Sequence, residues 1–199
     1  ILLCIFLVMH LLGNLMLFGG EEIFNNYVLN LTNLKPIVRV AEVVLTLLFL
    51  IHIINAFKLT RENREAKPQK YQSKPKGTAS FFSQNMGISG SIVLIFLVIH
   101  LSTFWKTFLQ SHGEEINYYS IVTSSSIGFG NPIITTIYII AITLLGFHLH
   151  HGFQSAFQTF GVGNIKYKSI INLLSAFFWL IIPAGFISIA IYFGIIKCL

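Results

Sequence analysis

Residues 135–160 read TTIYIIAITLLGFHLHHGFQSAFQTF, one of the most apolar runs of the chain, yet its middle holds His148, His150 and His151. A helix rises 1.5 Å per residue, so about 20 residues cross a bilayer core near 30 Å thick. The stretch is long enough to do so. Imidazoles at that depth need a partner, because an unpaired polar group in lipid is expensive.

The composition places the rest of the chain in the same environment. Of 199 residues, 10% are charged and 54% hydrophobic, with 19 Phe. Soluble domains carry about 25% charged residues. The apolar excess is arranged in five runs, at about 1–18, 37–60, 85–108, 133–160 and 169–196. The expectation is an all-α integral membrane protein, one domain over residues 1–199, built as a bundle of five transmembrane helices. Pro183 predicts a kink in the fifth. Cys4 and Cys198 lie near opposite ends and make no metal-ligand spacing. The chain begins at Ile1, already apolar, which suggests that a few residues precede it.

Charge orients the bundle. Residues 58–76 hold Lys58, Arg61, Arg64, Lys67, Lys70, Lys74 and Lys76 against Glu62 and Glu65, and Lys166 and Lys168 fall on the same side. The opposite loops hold Glu21, Glu22, Glu114 and Glu115, with Lys35, Arg39 and Lys106 close to helix ends. Short basic loops stay in the cytoplasm. The expected topology is a multi-pass protein of the cytoplasmic (inner) membrane, N-terminus inside and C-terminus outside. This reading accounts for the basic loop better than nucleic acid does, and it offers a surface for an acidic partner.

Six of the seven histidines fall within the predicted spans. The first four spans carry His10, His52, His100 and His148, at spacings of 42, 48 and 48 residues. Each spacing equals a helix plus a loop. His10 precedes Phe18 by eight residues and His100 precedes Phe108 by eight, so both lie about 12 Å from the outer end. His52 precedes Thr60 by eight residues and His148 precedes Phe160 by twelve, on the inner side. The expectation is two pairs, His10 with His100 and His52 with His148. Two imidazoles facing across a porphyrin iron give a bis-histidine haem, which carries electrons and leaves no open iron position. Two such pairs predict two b haems enclosed by the bundle. Hydrogen bonds to neighbouring helices are the plainer alternative for any one histidine. Zinc binding or proton transport would want carboxylates beside the imidazoles. No predicted membrane centre contains Asp or Glu, Glu42 being the nearest.

Glycines allow close approach to a porphyrin. Gly13 lies one turn beyond His10 and Gly152 one turn beyond His148, while Gly87 and Gly90 precede His100. Within FHLHHG, His148 shares a face with Gly152 and is the expected ligand. His151 lies near the same face and could bond a propionate, and His150 points elsewhere. His112 lies beside Glu114 in the acidic outer loop and reads as a solvated histidine.

The motifs HLLGNLMLF (10–18), HIINAFKLTRENREAKPQKY (52–71), NMGISGSIVLIFLVIHLSTFW (85–105) and HLHHGFQSAFQTFG (148–161) carry a family likeness. The chain resembles the single-chain dihaem cytochrome b anchor (b558 type) of bacterial succinate dehydrogenase, a relative of the fumarate reductase anchor. The resemblance covers nearly the whole chain. It implies that His10 and His100 hold the haem distal from the soluble subunits, and that His52 and His148 hold the proximal one. It also implies a flavoprotein partner with FAD, an iron-sulfur partner and a membrane quinone of the menaquinone kind. The anchor then works only as a subunit, without binding the dicarboxylate. Related fumarate reductase anchors carry a glutamate two residues before the fourth haem histidine. Here that position is Gly146, which favours succinate oxidation without that proton route. The family often has arginine after the serine preceding the third span, and here Gln84 follows Ser83. Quinone needs polar groups in an apolar cleft, for which Asn14, Glu21, Asn25 and Glu42 are the candidates. The alternatives are a dihaem cytochrome of fumarate reductase or another respiratory dehydrogenase, and a haem-free scaffold or transporter.

Overall fold

A computed structural model describes residues 1–65, 86–106, 116–159, 161 and 167–197. The expectations for Lys67, Lys70, Lys74, Lys76, Ser83, Gln84, Phe108, His112, Glu114, Glu115, Phe160, Lys166 and Cys198 lie outside them. Helix α1 spans Leu2–Leu15 and tightens into a 3-10 turn, Met16–Gly19. Then follow α2 (Glu21–Asn33), α3 (Lys35–Glu65), α4 (Met86–His100), α5 (Tyr118–Thr123), α6 (Pro132–Thr159), α7 (Lys168–Ala176) and α8 (Ile182–Ile191). Five of these stretches are long and apolar enough to cross a membrane: Leu2–Gly19, Lys35–Glu65, Met86–Trp105, Pro132–Phe157 and Lys168–Ile196. The protein is an all-α membrane bundle, with no strand among the described residues.

Local chemistry sets the helix ends. Asn131 caps α6, its side-chain oxygen accepting from the N–H of Ile133 at 3.0 Å, and Pro132 opens the helix where no N–H is needed. Asn117 caps α5 in the same way through Ser120 N–H at 2.9 Å. Gly20, at φ +93°, turns the chain from the first span into α2, a backbone state that suits glycine. The second span runs past its expected end at residue 60. Exposed pairs Lys58–Glu62 (3.9 Å) and Arg61–Glu65 (2.7 Å) extend it by one turn and more.

π-helical turns interrupt the apolar helices at Leu101–Trp105, Phe177–Ile181 and Tyr192–Ile196. The second stands just before Pro183, so the expected break in the fifth span takes the form of a widened turn. Pro183 returns no N–H to the carbonyl of Trp179. A Cβ on Gly146 would stand 2.9 Å from that oxygen, so α6 and the fifth span cross backbone to backbone there.

Burial is uneven. The main core, with Leu17, Phe24, Phe104, Tyr119, Phe129, Tyr138 and Phe193, gathers at the end that carries α2 and α5. A small cluster of Cys4, Leu149 and Phe153 lies toward the other end. Helix α3 fully buries none of its residues; Val38, Leu45, Phe49 and Ile53 are half-buried along one side, while Ile37, Val40, Val43, Leu47, Leu50, Ile54 and Phe57 are exposed. An apolar helix of that kind is a membrane span with lipid as its solvent.

Candidate functional site

Helices α4 and α6 run antiparallel, and each carries a histidine of a different pair. His10 on α1 and His100 at the end of α4 face each other with ring centroids 5.7 Å apart and planes at 84°. His52 on α3 and His148 on α6 do the same at 6.0 Å and 83°. A metal–imidazole bond of about 2 Å on each side, with each centroid about 1 Å behind its nitrogen, puts two trans imidazole centroids roughly 6 Å apart. Both pairs fit that spacing. Among the described residues no three His, Cys, Asp or Glu side chains converge. Two protein ligands per metal suit a porphyrin, which brings its own four nitrogens, and do not complete a protein-only zinc centre.

The level difference between the pairs can be read along two helices. Gly90 on α4 lies beside His148, a Cβ on it falling 3.3 Å from Cε1. Tyr138 on α6 lies beside His100, its hydroxyl 3.0 Å from Nδ1. Gly90 precedes His100 by ten residues, as Tyr138 precedes His148. Ten residues of helix rise about 15 Å.

The surroundings of the rings differ. His10 is stacked on Phe6 (5.2 Å) and lies against Phe186 (5.5 Å). His100 is enclosed by Phe96, Phe104 and Tyr138. Nδ1 of His148 is buried and meets no hydrogen-bond partner among the described residues. His150 turns away from the pair and sets its ring edge-on to Trp179 at 5.1 Å. His151 lies one turn beyond His148, with Nε2 3.2 Å from Ser155 Oγ.

The glycines divide by neighbour. Gly13 stands against the Tyr27 ring on α2, where a Cβ would overlap the phenol. Its space is taken by that tyrosine. Gly152 faces Met86 Cε at ordinary contact distance, 3.5 Å from a built Cβ. Gly90, expected near His100, serves the other pair.

The four polar candidates for a quinone also separate. Asn14 donates to the carbonyl of His10 at 2.8 Å and its amide nitrogen lies 3.4 Å from His10 Nδ1, so it is bound within its own helix. Glu21 and Asn25 belong to a clasp. Asn117 Nδ2 donates to Glu21, Asn25 Nδ2 donates to Asn117 Oδ1 at 3.1 Å, and Tyr119 N–H donates to Asn25 Oδ1 at 2.9 Å. Glu42 lines open grooves beside Arg39 and Trp105. It accepts from Arg39 Nη1 at 2.6 Å and from Trp105 Nε1 at 3.2 Å. These three side chains line two adjoining open surface grooves of about 140 and 300 Å³, with Lys35 and Val38 on one and Thr46 on the other. Sequence reading overlooked Trp105 and Arg39 here and Tyr138 at His100.

A family model described as succinate dehydrogenase/fumarate reductase transmembrane subunit matches residues 60–187. No curated protein and no solved structure matches the chain.

Proposed function

The chain belongs to the succinate dehydrogenase/fumarate reductase transmembrane subunit family, and from that premise we propose that it anchors a succinate:quinone oxidoreductase and serves as its electron-transfer subunit. Two b haems would be held between an iron-sulfur partner and a membrane quinone. His52 and His148 would bind the one nearer the basic loop, His10 and His100 the other. The observation that carries this reading is the pair of facing imidazole couples, 5.7 and 6.0 Å between centroids, set at two levels of one apolar bundle.

A bis-imidazole haem accepts and gives one electron at a time without an open iron position. The protein's own residues then have defined tasks. The four imidazoles fix plane and depth. The apolar helices exclude water. The basic excess of the sequence at 58–76, seven Lys and Arg against Glu62 and Glu65, suits one end to the iron-sulfur and flavin-bearing partners. With that end in the cytoplasm, the chain lies in the inner membrane with its N-terminus inside and its C-terminus outside. Quinone would occupy the groove beside Glu42 and Trp105, where the indole N–H and the Arg39–Glu42 pair supply the few polar groups such a cleft needs. Glu42 precedes His52 by ten residues, so it stands level with the His10–His100 pair. Gly146 has no room for the carboxylate that fumarate reductase anchors carry at that position, which favours succinate oxidation.

The test is pyridine-haemochrome analysis of the purified complex. A ratio near two haems per chain is expected. Replacing His10 or His100 should remove one, replacing His52 or His148 the other, and His150→Phe neither. A ratio near zero in the parent would overturn the reading. Co-purified flavoprotein and iron-sulfur subunits distinguish it from a dihaem cytochrome of another dehydrogenase.

A further inference from the structure

Tyr138 is nearly fully buried, at 4% exposure, and polar only at its hydroxyl. That hydroxyl lies 3.0 Å from His100 Nδ1. Phe96 and Phe129 set their rings edge-on to Tyr138 at 4.8 and 5.1 Å, and Phe104 stands at 6.1 Å. The cage holds the phenol in place. A hydroxyl can donate or accept, so the ring nitrogen decides the polarity. If His100 binds iron through Nε2, its proton must sit on Nδ1, and Tyr138 Oη then accepts it.

We infer that Tyr138 is a positioning residue for the His10–His100 site: it fixes the Nδ1–H tautomer of His100, orients the ring, and makes Nε2 a more basic ligand. This rests on the bis-imidazole reading above. A more basic ligand favours the oxidised metal, so the hydrogen bond lowers the reduction potential of the iron held there. The other pair provides the contrast, since His148 Nδ1 is buried without a hydrogen-bond partner among the described residues. The chain thus tunes its two iron sites apart with one phenol.

The experiment is a redox titration, by optical spectrum, of the purified complex carrying Tyr138→Phe, with Phe24→Leu, a buried aromatic that packs on Tyr27, as its packing control. The midpoint that is missing from a His10 variant identifies the site concerned. Tyr138→Phe should shift that midpoint upward and leave the other in place, and Phe24→Leu should shift neither. Hydrogen-bond partners of a metal ligand typically contribute about 10–100-fold in metal affinity, so partial loss of one haem from Tyr138→Phe but not from Phe24→Leu also supports the assignment. Unmoved midpoints at two haems per chain, a common shift of both, or equal haem loss from the two variants overturns it. A parent complex without two haems would instead defeat the underlying reading.

Discussion

A Cβ on Gly90 would stand 3.3 Å from Cε1 of His148, so α4 passes the fourth-span imidazole at a distance that leaves little beyond a hydrogen. Gly87, one turn earlier, has no neighbour within 4 Å of a built Cβ. Gly90→Val should push the His148 ring off its line with His52. Overpacking of this kind costs about 1–3 kcal/mol. The haem-to-protein ratio should fall from two toward one, while Gly87→Val keeps the parent ratio. Equal ratios in both variants would show that the ring tolerates the crowding.

Gly146 meets the carbonyl of Trp179 where Pro183 withholds an N–H. Gly146→Ala should open the crossing of α6 with the fifth span, at a cost of about 1–3 kcal/mol. The apparent melting temperature in detergent should drop, and Gly146→Glu should drop it further. An unchanged melting curve for the alanine variant would mean that the crossing has slack.

The clasp of Asn117, Glu21 and Asn25 ties α2 to α5 across the loop between the third and fourth spans. Asn117→Ala removes both a helix cap, a loss of about 0.5–2 kcal/mol, and the bridge between the two side chains. Amide hydrogen exchange over residues 21–33 should quicken, with haem content unchanged. Parent-like exchange in that helix would assign its docking to Phe24 and Tyr27 instead.

Glu42 is the quinone candidate that lines the open grooves beside Arg39 and Trp105. Glu42→Gln keeps the shape and removes the charge. Quinone turnover should fall on the order of 10²-fold, the usual scale of a lost proton-transfer group. Succinate should still reduce both haems. Parent turnover would move the quinone site elsewhere.

The five spans were legible because length and apolarity suffice to define them. Helix rise is also fixed, so residue counts alone set His10 level with His100 and His52 level with His148. Side-chain neighbours were harder to read. Tyr138 in TTIYIIAITLL looks like any core aromatic, and its polar role appears only when α4 runs antiparallel beside it. Glu21 and Asn25 looked available because their partner, Asn117, lies more than 90 residues away in sequence. Gly13 fitted a porphyrin face by spacing, but α2 folds back and fills the place with Tyr27. The second span outran its apolar stretch because its last turns are held by ion pairs, which an apolar count ignores.

The three π turns store chain length. Each holds a residue more than an α turn would need, and Phe177–Ile181 does so between α7 and α8. Deleting one residue inside Leu101–Trp105 would leave His100 and Trp105 on their present partners. The same deletion inside Ile92–Phe96 would rotate His100 by about 100° away from His10. Insertions and deletions are therefore tolerated unequally along these spans, and a shorter relative is expected to have lost its residues at 101–105, 177–181 or 192–196.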